Sequence, residues 1–370
     1  MKQLGVVQAA HYYGPLGGIE RVVYQFCQGL KGRYAVRAVV SNTEPVTTHS
    51  VEEGVPVTRV ARLLHVRRMS LCPSFPYWLR ASDPDLVHVH MTNPMAEASL
   101  LFSGLRCKLI ATYHMDVTRQ RLLNIPYSPL QKLFLDRAEV ITTSSENFAR
   151  TSPVLSRYLH KVRVLPYGLA ENALVETERS RALLAELRRD VTGPVVLFVG
   201  RLIHYKGVEV LVEAMREVEA TCLIVGEGYL KGALERRIAE LGLEGRVRLV
   251  GRIEDQELVA YYDRADVFAL PSVNRTESYG LTQIEAMSRG TPVVCTEVGT
   301  GTSFINLHGE TGLVVPPGDS GALAGAINAI LSDETLKIRL GDNGRARATT
   351  VFTERKMLEN LRALYEEVLG

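Results

Sequence analysis

The sequence has no Cys-x-x-Cys pair, no apolar run long enough to cross a bilayer, and no Gly-x-Gly-x-x-Gly after its first apolar run. Its five cysteines, Cys27, Cys72, Cys107, Cys222 and Cys295, are odd in number and widely scattered. That spacing argues against a disulfide framework or a cysteine zinc site and fits a reducing compartment. Without a long apolar run, no membrane-spanning helix is expected. The opening MKQLGVVQAAHYYG is too short in apolar residues for a secretion signal and reads as a buried first strand. The missing fingerprint weakens a dehydrogenase reading. What remains is ordinary for a soluble globular protein, with 23% charged and 46% apolar residues. A length of 370 residues favours two domains.

The net charge of +2 conceals a split. Residues 1–170 hold 20 Lys and Arg against 11 Asp and Glu, a net +9, and the remainder carries −7. Such asymmetry suggests two bodies with different tasks, although chance gives an equal account.

Short runs rich in Val and Ile alternate with amphipathic segments. The first half has runs at 4–10, 36–40, 85–90, 108–114 and 139–144, and the pattern restarts at 194–200, 221–228, 247–251, 266–272 and 292–299. Helical spacing appears at 19–32, 206–219, 231–242 and 353–369. Alternation of this kind predicts parallel sheets covered on both faces, and its two series predict two doubly wound α/β domains. Pro and Gly in PYGLAENA (166–173) mark the junction. The expected parts are a domain at 1–170, a second at 171–350, and a last helix within 351–370.

In doubly wound sheets ligands gather beyond the carboxyl ends of the strands. Gly17 and Gly18 stand between the first run and the first helix, where backbone N–H groups can meet an anion; a tight turn without ligand is an equal reading. Arg201 follows the run 194–200 and Lys206 opens the next helical stretch, a cation pair suited to a diphosphate. In PSVNRTESYGLTQIEAM, Glu277 lies in a loop and Glu285 on the following helix. Tyr279, Gly280, Leu281 and Thr282 would form that helix's first turn, facing an anion. Glu277 could accept from sugar hydroxyls and Glu285 from a ribose diol, unless Glu285 simply faces solvent. Gly226-Glu227-Gly228 could approach a nucleobase. Asp83-Pro84-Asp85 has the form of a metal-binding pair, but a proline turn explains it better. His88 and His90 share one strand face, and without a third ligand zinc is not expected there. His90 ends its strand and is a candidate to line a cleft.

GGIERVV, VGRLIHYKG, VGEGYL, GRIEDQEL, the two glutamates and GLVVPPGD, in this order and spacing, resemble the family 4 retaining glycosyltransferases over essentially the whole chain. The resemblance implies the GT-B fold, with two Rossmann-like doubly wound domains facing across a cleft. It implies a donor held mainly by the second domain and an acceptor by the first, with a final helix returning to the first. Carried over by position, Arg201 and Lys206 hold the donor diphosphate beside Gly18, Glu277 touches the transferred sugar, and Glu285 touches the ribose. His114 matches the family's active-site histidine, with Asp116 close by. Ser278-Tyr279-Gly280 departs from the more usual Gly-Phe-Gly or Ala-Phe-Gly, which puts the contacts around the sugar in question.

The expected activity is therefore retaining hexosyl transfer from a nucleotide-diphosphate sugar, with no metal cofactor because protein cations take its role. Residues 299–319 resemble bacterial surface-polysaccharide enzymes using GDP-mannose or related GDP-hexoses. The acceptor is expected to be a glycan or lipid-linked glycan, with no nucleic acid partner. The competing readings are a sugar-nucleotide epimerase or hydrolase, for which no dedicated acid–base set is assignable, and a non-catalytic nucleotide-sugar binding protein. A cytoplasmic location is expected, peripheral at the inner membrane face if two stretches rest on anionic lipid. These are Arg59, Arg62, His65, Arg67 and Arg68 ahead of LCPSFPYWLR, and residues 119–137. In the second stretch Leu122, Leu123, Leu133, Phe134 and Leu135 could equally be core.

Overall fold

The computed structural model describes all residues except 1, 2, 16, 67, 68, 117–120 and 171; the side chains of 66, 69 and 121–126 are also outside the description. The chain divides into two compact units. One comprises Met1–Ser144, Ser152–Pro166 and Met357–Gly370; the other comprises Ser145–Thr151 and Tyr167–Lys356. The division falls four residues before the sequence boundary at 170. The short piece Ser145–Thr151 joins the second unit, which the sequence pattern does not signal.

The first unit is built on an eight-stranded sheet. Its strands are β1 (Gly5–Ala10), β2 (Ala35–Ser41), β3 (Thr48–Glu52), β4 (Val55–Val60), then, after a separate hairpin of β5 (Leu64–Val66) and β6 (Met69–Leu71), β7 (Leu86–Met91), β8 (Lys108–Tyr113), β9 (Val140–Thr143) and β10 (Val162–Val164). The order across the sheet is β10-β9-β8-β7-β1-β2-β4-β3. All pairs are parallel except β3 on β4. The central strands β1, β7 and β8 are buried almost throughout, as a sheet covered on both faces requires.

The second unit holds six parallel strands: β11 (Val195–Val199), β12 (Thr221–Val225), β13 (Val247–Gly251), β14 (Val267–Leu270), β15 (Val293–Thr296) and β16 (Gly312–Val315), ordered β13-β12-β11-β14-β15-β16. The order reverses between β11 and β14, the point where doubly wound sheets bind ligands. Its core joins Val196, Phe198 and Ile224 to helical Leu211, Leu234 and Ile327. Each such buried side chain contributes about 1.5–3 kcal/mol. Among the described residues no helix is long and apolar enough to cross a membrane.

Candidate active site

In the second unit the chain leaves β11 through Arg201 and enters a short 3-10 turn, His204–Lys206, closed by Gly207. Gly207 has φ +68, and a Cβ there would lie 1.9 Å from the Pro271 carbonyl oxygen. Glycine thus lets this turn press against the loop after β14. The approach brings Lys206 Nζ to 2.6 Å from Glu277 Oε2, with side chains only 12% and 8% exposed. Ser272 Oγ donates to the same carboxylate oxygen at 3.1 Å. A buried ion pair gains little over apolar packing of equal volume, so its place at the carboxyl edge of the sheet points to ligand chemistry. Arg201 is exposed and donates to the Tyr205 hydroxyl at 3.1 Å. Lys206 Nζ lies 5.7 Å from the Tyr205 ring centre. Tyr205 therefore spaces the two cations, a role that the sequence pattern does not signal.

The helix Leu281–Ser288 starts from Gly280 at φ +88, where a Cβ would crowd Gln283 and Leu270. No side chain caps this helix. The first-turn N–H groups of Leu281 and Thr282 have no acceptor within it and carry the positive end of its dipole. Thr282 Oγ1 is buried with no hydrogen-bond partner among the described residues. Tyr279 precedes the helix instead of opening it, and its side chain turns inward. It is 3% exposed, its hydroxyl donates to the Tyr167 carbonyl at 3.1 Å, and its ring stands edge-on to Tyr167 and Phe352. The expectation that Tyr279 binds donor can hold only for its backbone, because its side chain is committed to packing. Glu285 is half-buried and accepts from the Tyr262 hydroxyl at 2.8 Å. Burial, then the Glu285 charge, pushes the Tyr262 hydroxyl well up, so Tyr262 remains a donor. Gly226 and Gly228 are explained by chain packing: a Cβ would strike the carbonyls of Gly200 and Leu202.

In the first unit Gly18 precedes the helix Ile19–Leu30, and no side chain caps that helix. Gly18 has φ −92, and a Cβ there would meet nothing within 4 Å among the described residues. Neither its backbone angle nor packing among the described residues calls for glycine there. Gly17, by contrast, needs its φ of +100.

His114 follows β8 and is 3% exposed. Its Nε2 lies 3.0 Å from His90 Nδ1 with the two rings stacked, and His90 Nε2 lies 2.9 Å from Gln8 Oε1. His88 is bonded to the Tyr365 hydroxyl at 2.7 Å and to Thr112 Oγ1 at 2.5 Å, which in turn meets Thr142 Oγ1 at 2.6 Å. A polar row thus crosses β1, β7, β8 and β9 beneath Tyr365. Burial pushes His88 and His114 down to about 3 and His90 well below the usual range, so all three are neutral near pH 7. The third histidine beside His88 and His90, unexpected from sequence, is hydrogen-bonded to its neighbour. Among the described residues no group of three or more His, Cys, Asp or Glu could hold a metal. Asp116 accepts from Ser152 Oγ at 2.6 Å and from the Tyr113 hydroxyl at 3.2 Å, so it ties loops together. Asp85 accepts from Gly5 N at 2.6 Å and Asp83 has φ +41, a turn at the amino end of the strands.

Comparison with known proteins adds to this geometry. Residues 16–173 match the Glycosyltransferase Family 4 profile, and residues 180–347 match that of Glycosyl transferases group 1. The D-rhamnosyltransferase WbpZ of Pseudomonas aeruginosa is 34% identical over 343 residues, 91% of this chain and 89% of that protein. The O-antigen chain mannosyltransferase C of Escherichia coli is 30% identical over 98% of both. Among solved structures, sucrose-phosphate synthase from Thermosynechococcus elongatus superposes with a TM-score of 0.79 at 25% identity, over 98% of each chain.

Proposed function

The chain belongs to the family 4 glycosyltransferases of GT-B fold, and from that premise we propose that it transfers a hexose from a nucleotide-diphosphate sugar, GDP-mannose or a related GDP-hexose, with retention at the anomeric carbon. The observation that carries this reading is the Lys206–Glu277 pair beside the uncapped helix Leu281–Ser288. A diphosphate entering there takes up Lys206, Arg201 and the N–H groups of Leu281 and Thr282. Glu277, released from a purely internal pairing, accepts from hydroxyls of the sugar.

As the bond between sugar and diphosphate breaks, negative charge builds on the departing phosphate. Two fixed cations and a helix N-terminus stabilise that charge where it forms, and such preorganised charge usually supplies most of an enzyme's acceleration. The protein's own cations take the role elsewhere given to a metal ion. In the second unit Glu285 accepts from the ribose diol; in the first, Gly18 and His114 are the residues assigned to phosphate and to a sugar hydroxyl. The named relatives act on rhamnosyl and mannosyl groups, one of them in O-antigen chains. That supports a polysaccharide or lipid-linked glycan as acceptor, and a cytoplasmic enzyme working at the inner membrane face.

NMR of the product tests the reading. With GDP-mannose and a glycan acceptor, the coupling at the new anomeric centre should report an α linkage. An inverted centre would remove the retaining mechanism, and turnover with UDP-sugars alone would remove the GDP-hexose assignment.

A further inference from the structure

A cleft of about 500 Å³ opens in the first unit between the helix Arg121–Arg137 and the 3-10 turn Leu155–Arg157 with the chain that follows it. Small-molecule sites span about 300–1,000 Å³. The helix leads into β9 and the turn into β10, so the cleft lies at the amino ends of these strands. Gly18 and His114 follow the carboxyl ends of β1 and β8, which belong to the same sheet and run parallel to β9 and β10. The cleft is therefore separate from the candidate active site.

Its charges set its chemistry. The lining holds Lys132, Arg157 and Lys161 against one carboxylate, Asp136, with His160 beside them. That carboxylate is already engaged. Lys132 Nζ donates to Asp136 Oδ2 at 2.6 Å, and the Tyr158 hydroxyl donates to Oδ1 at 2.8 Å. These bonds, the one from Lys132 first, hold Asp136 below the usual carboxylate range. Lys161 Nζ donates to the carbonyls of Leu135, Asp136 and Ala138, at the negative pole of the helix dipole. Both contacts serve the fold itself, one as an i,i+4 pair and the other as a helix cap. Arg157 and His160 differ. Both are exposed at the cleft, and among the described residues neither side chain has a hydrogen bond or an ion pair. Tyr158 and Lys161 thus fix the walls and leave a guanidinium and an imidazole uncommitted. A guanidinium fork matches a phosphate in two bonds, and an imidazole keeps at least one N–H donor in either charge state. Three cations against one engaged carboxylate favour a multiply charged anion over a single carboxylate ligand.

We propose that this cleft binds a phosphate-bearing ligand through Arg157 and His160, within the positive field of Lys132 and Lys161. The recognised group is the phosphate, whether of a soluble phosphate ester or of a lipid headgroup. The inference stands apart from the transfer reaction proposed above.

The probes are inorganic phosphate and pyrophosphate, and the readout is nitrogen-15 NMR of histidine-labelled protein, with the His160 signal assigned from His160→Gln. At ionic strength held constant with chloride, each anion should move that signal saturably. Arg157→Ala should weaken the binding about tenfold or more, as loss of one charge-assisted hydrogen bond does, and Arg157→Glu should abolish it. Both variants should melt as wild type does, because Arg157 is exposed. The signal reports this cleft, so anion taken up beside Lys206 does not enter the result, and no turnover is needed. Co-sedimentation separates the two sources, with Arg106→Ala, an exposed arginine outside the cleft, as the control for lost charge. For a lipid phosphate, vesicles of phosphatidylcholine with phosphatidic acid should carry down less Arg157→Ala than Arg106→Ala. For a soluble phosphate, the two variants should sediment alike while the dissolved anions still move the His160 signal. A signal unmoved by phosphate and pyrophosphate, together with equal sedimentation of the two variants, overturns the proposal. So does a movement that survives Arg157→Glu.

Discussion

At the residue scale the proposed chemistry turns on Lys206 and Glu277, which lie far apart in sequence and 2.6 Å apart in the fold. Lys206→Ala removes the proposed phosphate ligand and strands a nearly buried carboxylate. It should lower kcat/KM at least about 100-fold, as loss of a transition-state donor does, and cost about 3–5 kcal/mol of stability. Arg201→Ala should weaken donor use with no measurable change in melting, because Arg201 is exposed. Steady-state kinetics beside denaturant melts separate the two effects, and equal melting losses would refute the pairing. Gly18→Ala gives the complementary case. Nothing within 4 Å among the described residues opposes its methyl group, so folding should be unchanged while donor KM rises.

At the element scale, the apolar runs made the interior strands legible. The runs at 4–10, 108–114 and 194–200 became β1, β8 and β11 within a residue. The strands β3, β4, β5, β6, β10 and β16 were not legible. THSVE has no buried residue and lies at the sheet edge, VPVTRV is only partly buried and carries Pro and Arg, and VRV is short and mostly exposed. The helix expected over 206–219 shrinks to Val208–Ala214, because Lys206 belongs to the preceding 3-10 turn and the chain leaves helical pairing after Met215. The cations and glutamates were legible because strand ends and helix starts mark ligand positions. The Gln8–His90–His114 row was not, because it depends on strand order, which local pattern does not encode. A single polar Gln8 in the apolar run LGVVQAA was the available signal.

The buried row also sets a pH dependence. The unfolded chain protonates histidine near 6.5, whereas folded His88 and His114 stay neutral down to about 3. Their share of stability is whole above 6.5 and is lost as pH falls from 6.5 toward 3. Glu97 runs the other way. Burial raises it from 4.5 to about 7 against hydrogen bonds from Tyr127 and the Asn93 N–H. The folded state therefore keeps a proton that the unfolded chain releases, and stability is lost as pH rises from 4.5 through 7. Glu97→Gln should gain melting temperature relative to wild type as pH goes from 5 to 8. A difference that is flat or shrinks with pH would contradict burial as the cause.

At the scale of the whole molecule, several of the basic side chains behind the net +9 of residues 1–170 are already engaged within the first unit. Arg59 pairs with Glu52, Arg137 donates to the carbonyls of Leu100 and Leu105, and Lys161 donates to those of Leu135, Asp136 and Ala138. Phe134 and Leu135 are core while Leu133 is exposed; Leu122 and Leu123 have side chains outside the description, as do Arg67 and Arg68. Leu63, Leu64 and Leu71 stay exposed on the β5–β6 hairpin beside Arg62 and His65. We propose that this hairpin supplies the membrane contact. Co-sedimentation with anionic liposomes should fall with salt and weaken in Arg67→Glu, Arg68→Glu; no binding at low salt would contradict it. Activity should also persist in excess EDTA, and loss restored by magnesium or manganese would contradict the role given to Arg201 and Lys206.

The most direct test of the central claim needs no acceptor: the melting temperature of the protein against GDP-mannose, GDP, UDP-, ADP- and dTDP-sugars. A ligand that binds only the folded state at 100 times its Kd adds about 2.7 kcal/mol. GDP and GDP-mannose should raise the melting temperature, and Lys206→Ala should abolish the rise. No shift with any nucleotide sugar, or a shift that survives Lys206→Ala, would contradict the claim.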